Sequence, residues 1–172
     1  EGATDEEKIA CDEECRKSRE ITISFLEKFP DKKWVIDGGS LQTIYEADIP
    51  KNSILTPNKK EFELLFNSKF SILNFESIAK KHQCIIVYKG PTAYVTDGRI
   101  IYEIGGGNAG LTKGGTGDVL AGIITGLAAK NPPLLAAAAG TYVLKKAAGK
   151  LFLEKGYGYN ADDLAESIEI PA

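Results

Sequence analysis

The stretch Gly106-Gly107-Asn108-Ala109-Gly110-Leu111-Thr112-Lys113-Gly114-Gly115-Thr116-Gly117-Asp118 joins a glycine-rich turn region to a carboxylate, and an apolar run from Val119 to Ala129 follows it directly. That run mixes small and branched residues and predicts a closely packed helix over about 116–129. The first N–H groups of a helix have no acceptor within it, so amides near Gly114 to Gly117 can point at one anion, a phosphate before any other. Asp118 then stands at the helix mouth and admits two readings. It is a general base beside the anion, or it only stabilises the helix end, an effect of about 0.3 to 1 kcal/mol. The order is not that of a P-loop, because no Lys-Ser/Thr follows the glycines, and it is not a dinucleotide fingerprint on an early strand.

Upstream, apolar runs alternate with helical patterns. Residues 12–29 carry acidic groups early and Ile21, Phe25, Leu26 and Phe29 later, which predicts a surface helix closed by Pro30. Residues 34–37 predict a short buried strand, Gly38-Gly39-Ser40 a turn, and Leu41, Ile44 and Tyr45 a further helix. Residues 53–56 predict a second strand; Pro57-Asn58-Lys59-Lys60-Glu61 then opens a helix with Phe62, Leu64, Leu65 and Phe66. A helix over 74–81 and a strand over 84–88 follow. This alternation predicts an α/β fold, a mainly parallel sheet covered on both faces, whose strand order is not readable from the sequence. Thr92 to Val95 and Arg99 to Glu103 flank Asp97-Gly98 and predict a hairpin. Helices over 133–148 and 161–167 complete the pattern, with Lys130-Asn131-Pro132-Pro133 as a stop. The Ala136 to Gly140 run predicts a close helix interface. Thr141, Tyr142 and Leu144 beside it are candidates to wall a flat ligand, and Tyr157 to Asn160 predict a turn before the last helix.

The chain of 172 residues carries 21 basic and 24 acidic groups, a net charge of -3, and no Lys/Arg block of the kind that binds nucleic acid. No apolar stretch reaches the roughly 18 residues of a membrane span, and the start Glu1-Gly2-Ala3-Thr4-Asp5-Glu6-Glu7 is unlike a signal peptide. The expectation is a cytoplasmic protein without a membrane or nucleic-acid partner. Its organisation reads as one partial domain over 1–172, with a polar leader at 1–11 and an α/β body at 12–172. Cys11, Cys15 and Cys84 are too few for a disulfide scaffold and are expected as thiols. His82 reads as a boundary residue.

Three further places carry candidate chemistry. Lys89 ends an apolar strand and reads either as a contact to nucleotide phosphates or as an exposed strand-end lysine. Asn108 orients a ligand through its amide or stabilises a turn. Thr56, Asn58 and Glu61 form a binding cluster, or a helix cap with a first-turn carboxylate.

Taken together, Val35-Ile36-Asp37, Ile54 through Glu61, Val87-Tyr88-Lys89-Gly90, and Gly107-Asn108-Ala109-Gly110 leading to Gly114 through Asp118 resemble the C-terminal active-site region of the ribokinase-like superfamily. Within it the chain is similar to the ADP/ATP-dependent NAD(P)H-hydrate dehydratases over about residues 34–168. That family commonly has Pro where this chain has Ala109 and a small residue in place of Lys113. Its members carry an N-terminal glycine-rich region and further strands not identified here, so the resemblance implies the C-terminal portion of the fold. The chain is then a fragment, a chain whose N-terminal complementing segment lies elsewhere as a partner, or a reduced relative, and an exposed sheet edge left by the absent portion is compatible with a homo-oligomer.

For function the resemblance implies repair of hydrated NADH or NADPH: an adenine nucleotide, ADP or ATP, phosphorylates the ring hydroxyl, and elimination of phosphate restores the cofactor. Asp118 would be the catalytic base. Lys89, Asn108, Gly114, Gly115, Thr116 and Gly117 would hold the nucleotide phosphates, and Asp37, Thr56, Asn58 and Asp118 the substrate. Mg²⁺ would accompany the phosphates, with Glu61 reaching it through water. A kinase of a small alcohol or vitamin precursor, and a noncatalytic nucleotide-binding protein, are the alternatives.

Overall fold

The computed structural model describes residues 13–170; the polar leader at 1–11 lies outside them. Helix α1 spans Glu13–Lys28 with Glu13 and Glu14 in its first turn and Lys28 in its last, charges that complement the helix dipole. Strand β1 (Val35–Ile36) is followed by α2 (Gly39–Thr43), and β2 (Ile54–Leu55) by α3 (Lys59–Phe66) and α4 (Ile72–His82). Then come β3 (Ile85–Tyr88), the hairpin of β4 (Ala93–Thr96) and β5 (Ile101–Ile104), α5 (Thr116–Ala128), α6 (Pro133–Lys155) and α7 (Ala161–Glu166).

The sheet has the order β1-β2-β3-β4-β5. β1, β2 and β3 pair in parallel, as the strand and helix alternation predicts, and the hairpin adds β4 and β5 antiparallel. Side chains alternate across the pleat. Ile54, Ile85, Val87, Val95 and Ile104 face a core shared with α5, α6 and α7. Ile36, Leu55 and Ile86 face a second, aromatic core around Phe62, Phe66 and Phe75. Phe62 is fully buried, with ring centroids 5.0 Å from Phe66 and 5.6 Å from Tyr88. Its burial stabilises the fold by about 1.5 to 3 kcal/mol.

The expected seam at Ala136 to Gly140 is present: a Cβ on Gly140 would lie 2.8 Å from Ile124 Cγ1 on α5. Thr141 and Leu144 are buried, whereas Tyr142 is exposed. Successive helix residues are about 100° apart, so these three do not form one ligand wall. Helix α6 runs past the expected end at 148 to Lys155, because Leu151 still packs in the core. Cys15 is disulfide-bonded, contrary to the thiol expectation, and Cys84 is a buried free thiol. His82 is a boundary residue, with Nε2 3.0 Å from Glu46 Oε2. Among the described residues no helix is long and apolar enough to cross a membrane.

Candidate active site

Parallel pairing aligns Ile36 with Leu55 and Leu55 with Ile86, so the chain leaves β1, β2 and β3 on one side of the sheet. Asp37, Thr56 and Lys89 follow the ends of these strands. The carboxyl end of a parallel sheet is the usual place for a ligand crevice in α/β folds. Lys89 Nζ lies 2.6 Å from Asp37 Oδ1 and 3.6 Å from Glu61 Oε2, and all three side chains are largely buried. Glu61 reaches this group from the first turn of α3. Its Oε2 accepts from the Asn58 amide at 2.8 Å, while Asn58 Oδ1 accepts from the Glu61 amide at 3.0 Å. This reciprocal cap is one of the two sequence readings of the cluster, and it sets Glu61 toward Lys89. Thr56 is fully buried, and its hydroxyl lies 3.4 Å from the Ile36 carbonyl, inside the sheet. Asn58 is exposed at the helix mouth.

The glycine-rich cradle meets this cluster from the other side. A Cβ placed on Gly117 would be 3.4 Å from Asp37 Oδ2 and 3.5 Å from Lys89 Nζ, so the mouth of α5 adjoins the ion-paired group. Gly115 caps α5 with φ +85°, and a side chain there would press on Ala161. Thr116 is buried with its hydroxyl 2.7 Å from the Leu111 carbonyl and 2.8 Å from that of Lys113, so it locks the turn. The amides of Gly114, Gly115 and Gly117 have no hydrogen-bond acceptor among the described residues. The Asp118 side chain is exposed and has no hydrogen bond or ion pair among the described residues. Free amides beside an unpaired carboxylate can receive a transferring phosphoryl group and a proton, respectively.

Asn108 begins the 3-10 turn of Ala109–Thr112. Its Nδ2 donates to the Ala148 carbonyl at 2.8 Å, and its Oδ1 accepts from the Gly110 amide at 2.8 Å and from the Tyr159 hydroxyl at 2.7 Å. The side chain thus organises the turn at both ends. Gly110 lies directly beneath Tyr159: any Cβ there would overlap the phenol oxygen. Burial raises the Tyr159 pKa, which keeps the phenol a donor to Asn108. Lys113, where the similar family commonly has a small residue, donates to the carbonyls of Tyr157 and Tyr159.

The structure therefore brings Asp37, Glu61, Lys89 and Gly117 together, keeps Asn58 on the same α3 cap, and turns Thr56, Thr116 and Asn108 to structural bonds. Sequence reasoning missed Tyr159, read as part of a turn, and Lys145. Lys145 is spaced four residues from Thr141 and three from Ala148, and that spacing on α6 was the available sign that it faces inward.

The sequence model of a family described as NAD(P)H-hydrate dehydratase matches residues 15–170. The bifunctional NAD(P)H-hydrate repair enzyme of Methanocaldococcus jannaschii is 40% identical over 154 residues, covering 88% of this chain and 30% of that protein. The ADP-dependent (S)-NAD(P)H-hydrate dehydratase of Cenarchaeum symbiosum is 35% identical over 148 residues, covering 80% of this chain and 51% of its own. Among solved structures, the ADP/ATP-dependent NAD(P)H-hydrate dehydratase of Bacillus subtilis, co-crystallised with ATP/Mg²⁺ and soaked with CoA, superposes with a TM-score of 0.69 at 25% identity. That match covers 80% of this chain and 54% of the Bacillus chain. A ribokinase-like superfamily protein of Enterococcus faecalis shares the fold, with a TM-score of 0.76 at 23% identity over 87% of this chain and 55% of its own. The chain thus spans between about a third and a half of the length of these two curated relatives. Its match to the family model over nearly its whole length, on a ribokinase-like fold, shows that the chain belongs to the NAD(P)H-hydrate dehydratase family.

Proposed function

We propose that this chain supplies the nucleotide- and hydroxyl-handling side of an ADP/ATP-dependent NAD(P)H-hydrate dehydratase. The observation that carries the reading is the meeting of the Asp37-Lys89-Glu61 group with the free amides and unpaired carboxylate at the mouth of α5. The ring hydroxyl of hydrated NADH or NADPH loses its proton to Asp118 as its oxygen forms a bond to the terminal phosphorus of ADP or ATP. The bond from that phosphorus to the nucleotide breaks, and the Gly114, Gly115 and Gly117 amides stabilise the charge on the transferred group. Elimination then breaks the carbon-oxygen bond, releases phosphate and a proton from the adjacent carbon, and restores the reduced ring.

Lys89 has three donors. One bonds Asp37 and the ammonium also lies 3.6 Å from Glu61, so donors remain for the phosphates, to which Lys89 presents a positive charge. Asp37 and Asn58 serve the substrate side, while Thr56, Thr116 and Asn108 hold the backbone that shapes it. Mg²⁺ supplies charge compensation to the phosphates when bound. Among the described residues no group of three or more His, Cys, Asp or Glu is placed to hold a metal ion. Glu61 would reach it through water.

The edge of the sheet supports a complementing partner. β1 ends the strand order, and the Trp34 and Ile36 carbonyls bond to β2, so the N–H and C=O of Val35 face away from it. We infer that an N-terminal segment of the fold, or a second copy, pairs there, and we place the protein in the cytoplasm with its nucleotide substrates. The test is incubation of the chain, alone and with the N-terminal half of the Cenarchaeum relative, with hydrated NADH, Mg²⁺ and ADP or ATP. Equal recovery of NADH absorbance and release of phosphate is the expected result. A stable phosphorylated product indicates a kinase, and nucleotide binding without turnover indicates a noncatalytic protein.

A further inference from the structure

Lys145 lies mid-way along α6 and is only 6% exposed. Its Nζ donates to the carbonyls of Gly90 at 3.1 Å, Pro91 at 2.6 Å and Gly106 at 3.2 Å. An ammonium has three N–H donors, and here each has a carbonyl. No carboxylate pairs with it among the described residues. Burial lowers its pKa, so the three carbonyl dipoles are the groups that offset the loss of water around the charge. With every donor engaged, Lys145 has none left for a ligand.

The three carbonyls belong to the two loops that the proposed function uses. Gly90 and Pro91 immediately follow Lys89, which reaches Asp37 and Glu61. Gly106 immediately precedes Gly107 and Asn108, and the Lys145 Cγ would be 3.3 Å from a Cβ on Gly107. From Asn108 a short bonded path leads to the cradle: Asn108 holds the Gly110 amide, the 3-10 turn follows, and the Leu111 and Lys113 carbonyls hold the Thr116 hydroxyl. A bonded path thus links the Gly106-Gly107-Asn108 turn to the helix mouth.

We propose that Lys145 is a positioning residue of the nucleotide site, whose ammonium fixes the separation between the Lys89-Gly90-Pro91 turn and the Gly106-Gly107-Asn108 turn and so presets the cleft between Lys89 and the Gly114 to Gly117 amides. The proposal rests on the reading of those groups as a nucleotide cradle. A loop pair that is set in advance does not have to be ordered by the ligand, and affinity is gained by avoiding that ordering.

The test is calorimetric titration of the chain and of Lys145→Met with Mg-ADP and Mg-ATP, reading Kd and stoichiometry separately, with melting temperature alongside. Lys145→Met keeps the stem and removes the donors. It is expected to raise Kd about 10-fold while each folded molecule still binds one nucleotide, a change equal to about 1.4 kcal/mol. Lys145→Arg, which keeps a cation and several donors, is expected to recover part of that loss. A role confined to stability would lower the melting temperature and the binding-competent fraction and leave Kd unchanged. A Kd within about 2-fold of the parent in Lys145→Met overturns the proposal. Should that variant not fold, an unchanged Kd in Lys145→Gln, whose shorter uncharged amide cannot hold all three carbonyls, overturns it. Absence of nucleotide binding by the parent chain removes the cradle reading, and this proposal with it; tight binding by both parent and variant removes only the role of Lys145.

Discussion

At the strand ends, Lys89 is ion-paired with both Asp37 and Glu61 and all three are largely buried, whereas the Asp118 side chain, one residue beyond the glycine that adjoins them, is exposed and unpaired among the described residues. The first arrangement holds a shape. The Glu61 carboxylate is committed to a lysine and a helix cap, and removing one member leaves the others charged in a low-dielectric site. The second arrangement is open to an incoming hydroxyl. Under the proposed function, rigidity belongs to the sheet side of the site and proton transfer to the helix side.

That division is exposed to direct attack. Asp118→Asn should lower turnover in the complemented enzyme by about 10²- to 10⁴-fold with nucleotide affinity nearly unchanged, as read by initial rates and calorimetry. Comparable turnover by this variant would move the base to the buried group. Lys89→Met should cost about 2 to 4 kcal/mol in urea unfolding, because Asp37 and Glu61 lose their counter-ion, and should weaken phosphate binding as well. A smaller loss, of about 1 to 3 kcal/mol, is expected for Gly110→Ala, whose new Cβ must displace Tyr159, with a matching fall in nucleotide affinity. The far end of β3 provides the control. Burial pushes the Cys84 thiol up to about 12, so it should stay protonated and unreactive toward a thiol reagent at pH 8 until the chain is unfolded. Rapid labelling of Cys84 in the native protein would show that the sheet core opens.

Much of the architecture was written locally. The Asn58 to Glu61 cap, the Asp97-Gly98 hairpin and the Pro132-Pro133 break each depend on a few neighbouring residues, and each appears where expected, although α6 continues past its expected end. The parallel part of the sheet was legible from the alternation of strands and helices. What was not legible depends on distant partners. The Asp37 to Lys89 bond, the Tyr159 to Asn108 bond and the three bonds of Lys145 all join residues far apart in sequence. Asn108 illustrates the limit: its type and spacing marked it as important, but whether its amide served a ligand or the turn depended on where Tyr159 and Ala148 arrive. Thr56 and Thr116 are similar cases, since a hydroxyl beside a candidate site carries no sign of which carbonyl it will meet.

The contact of Tyr159 on Gly110 has a consequence for how this protein can diverge. The phenol occupies the space that any side chain at 110 would need, and it is also the donor that fixes Asn108. Across descendants of this chain the two positions should covary as one inherited unit: a larger residue at 110 becomes tolerable only after the ring at 159 has been lost, and that loss leaves Asn108 held by Ala148 and the 110 amide alone.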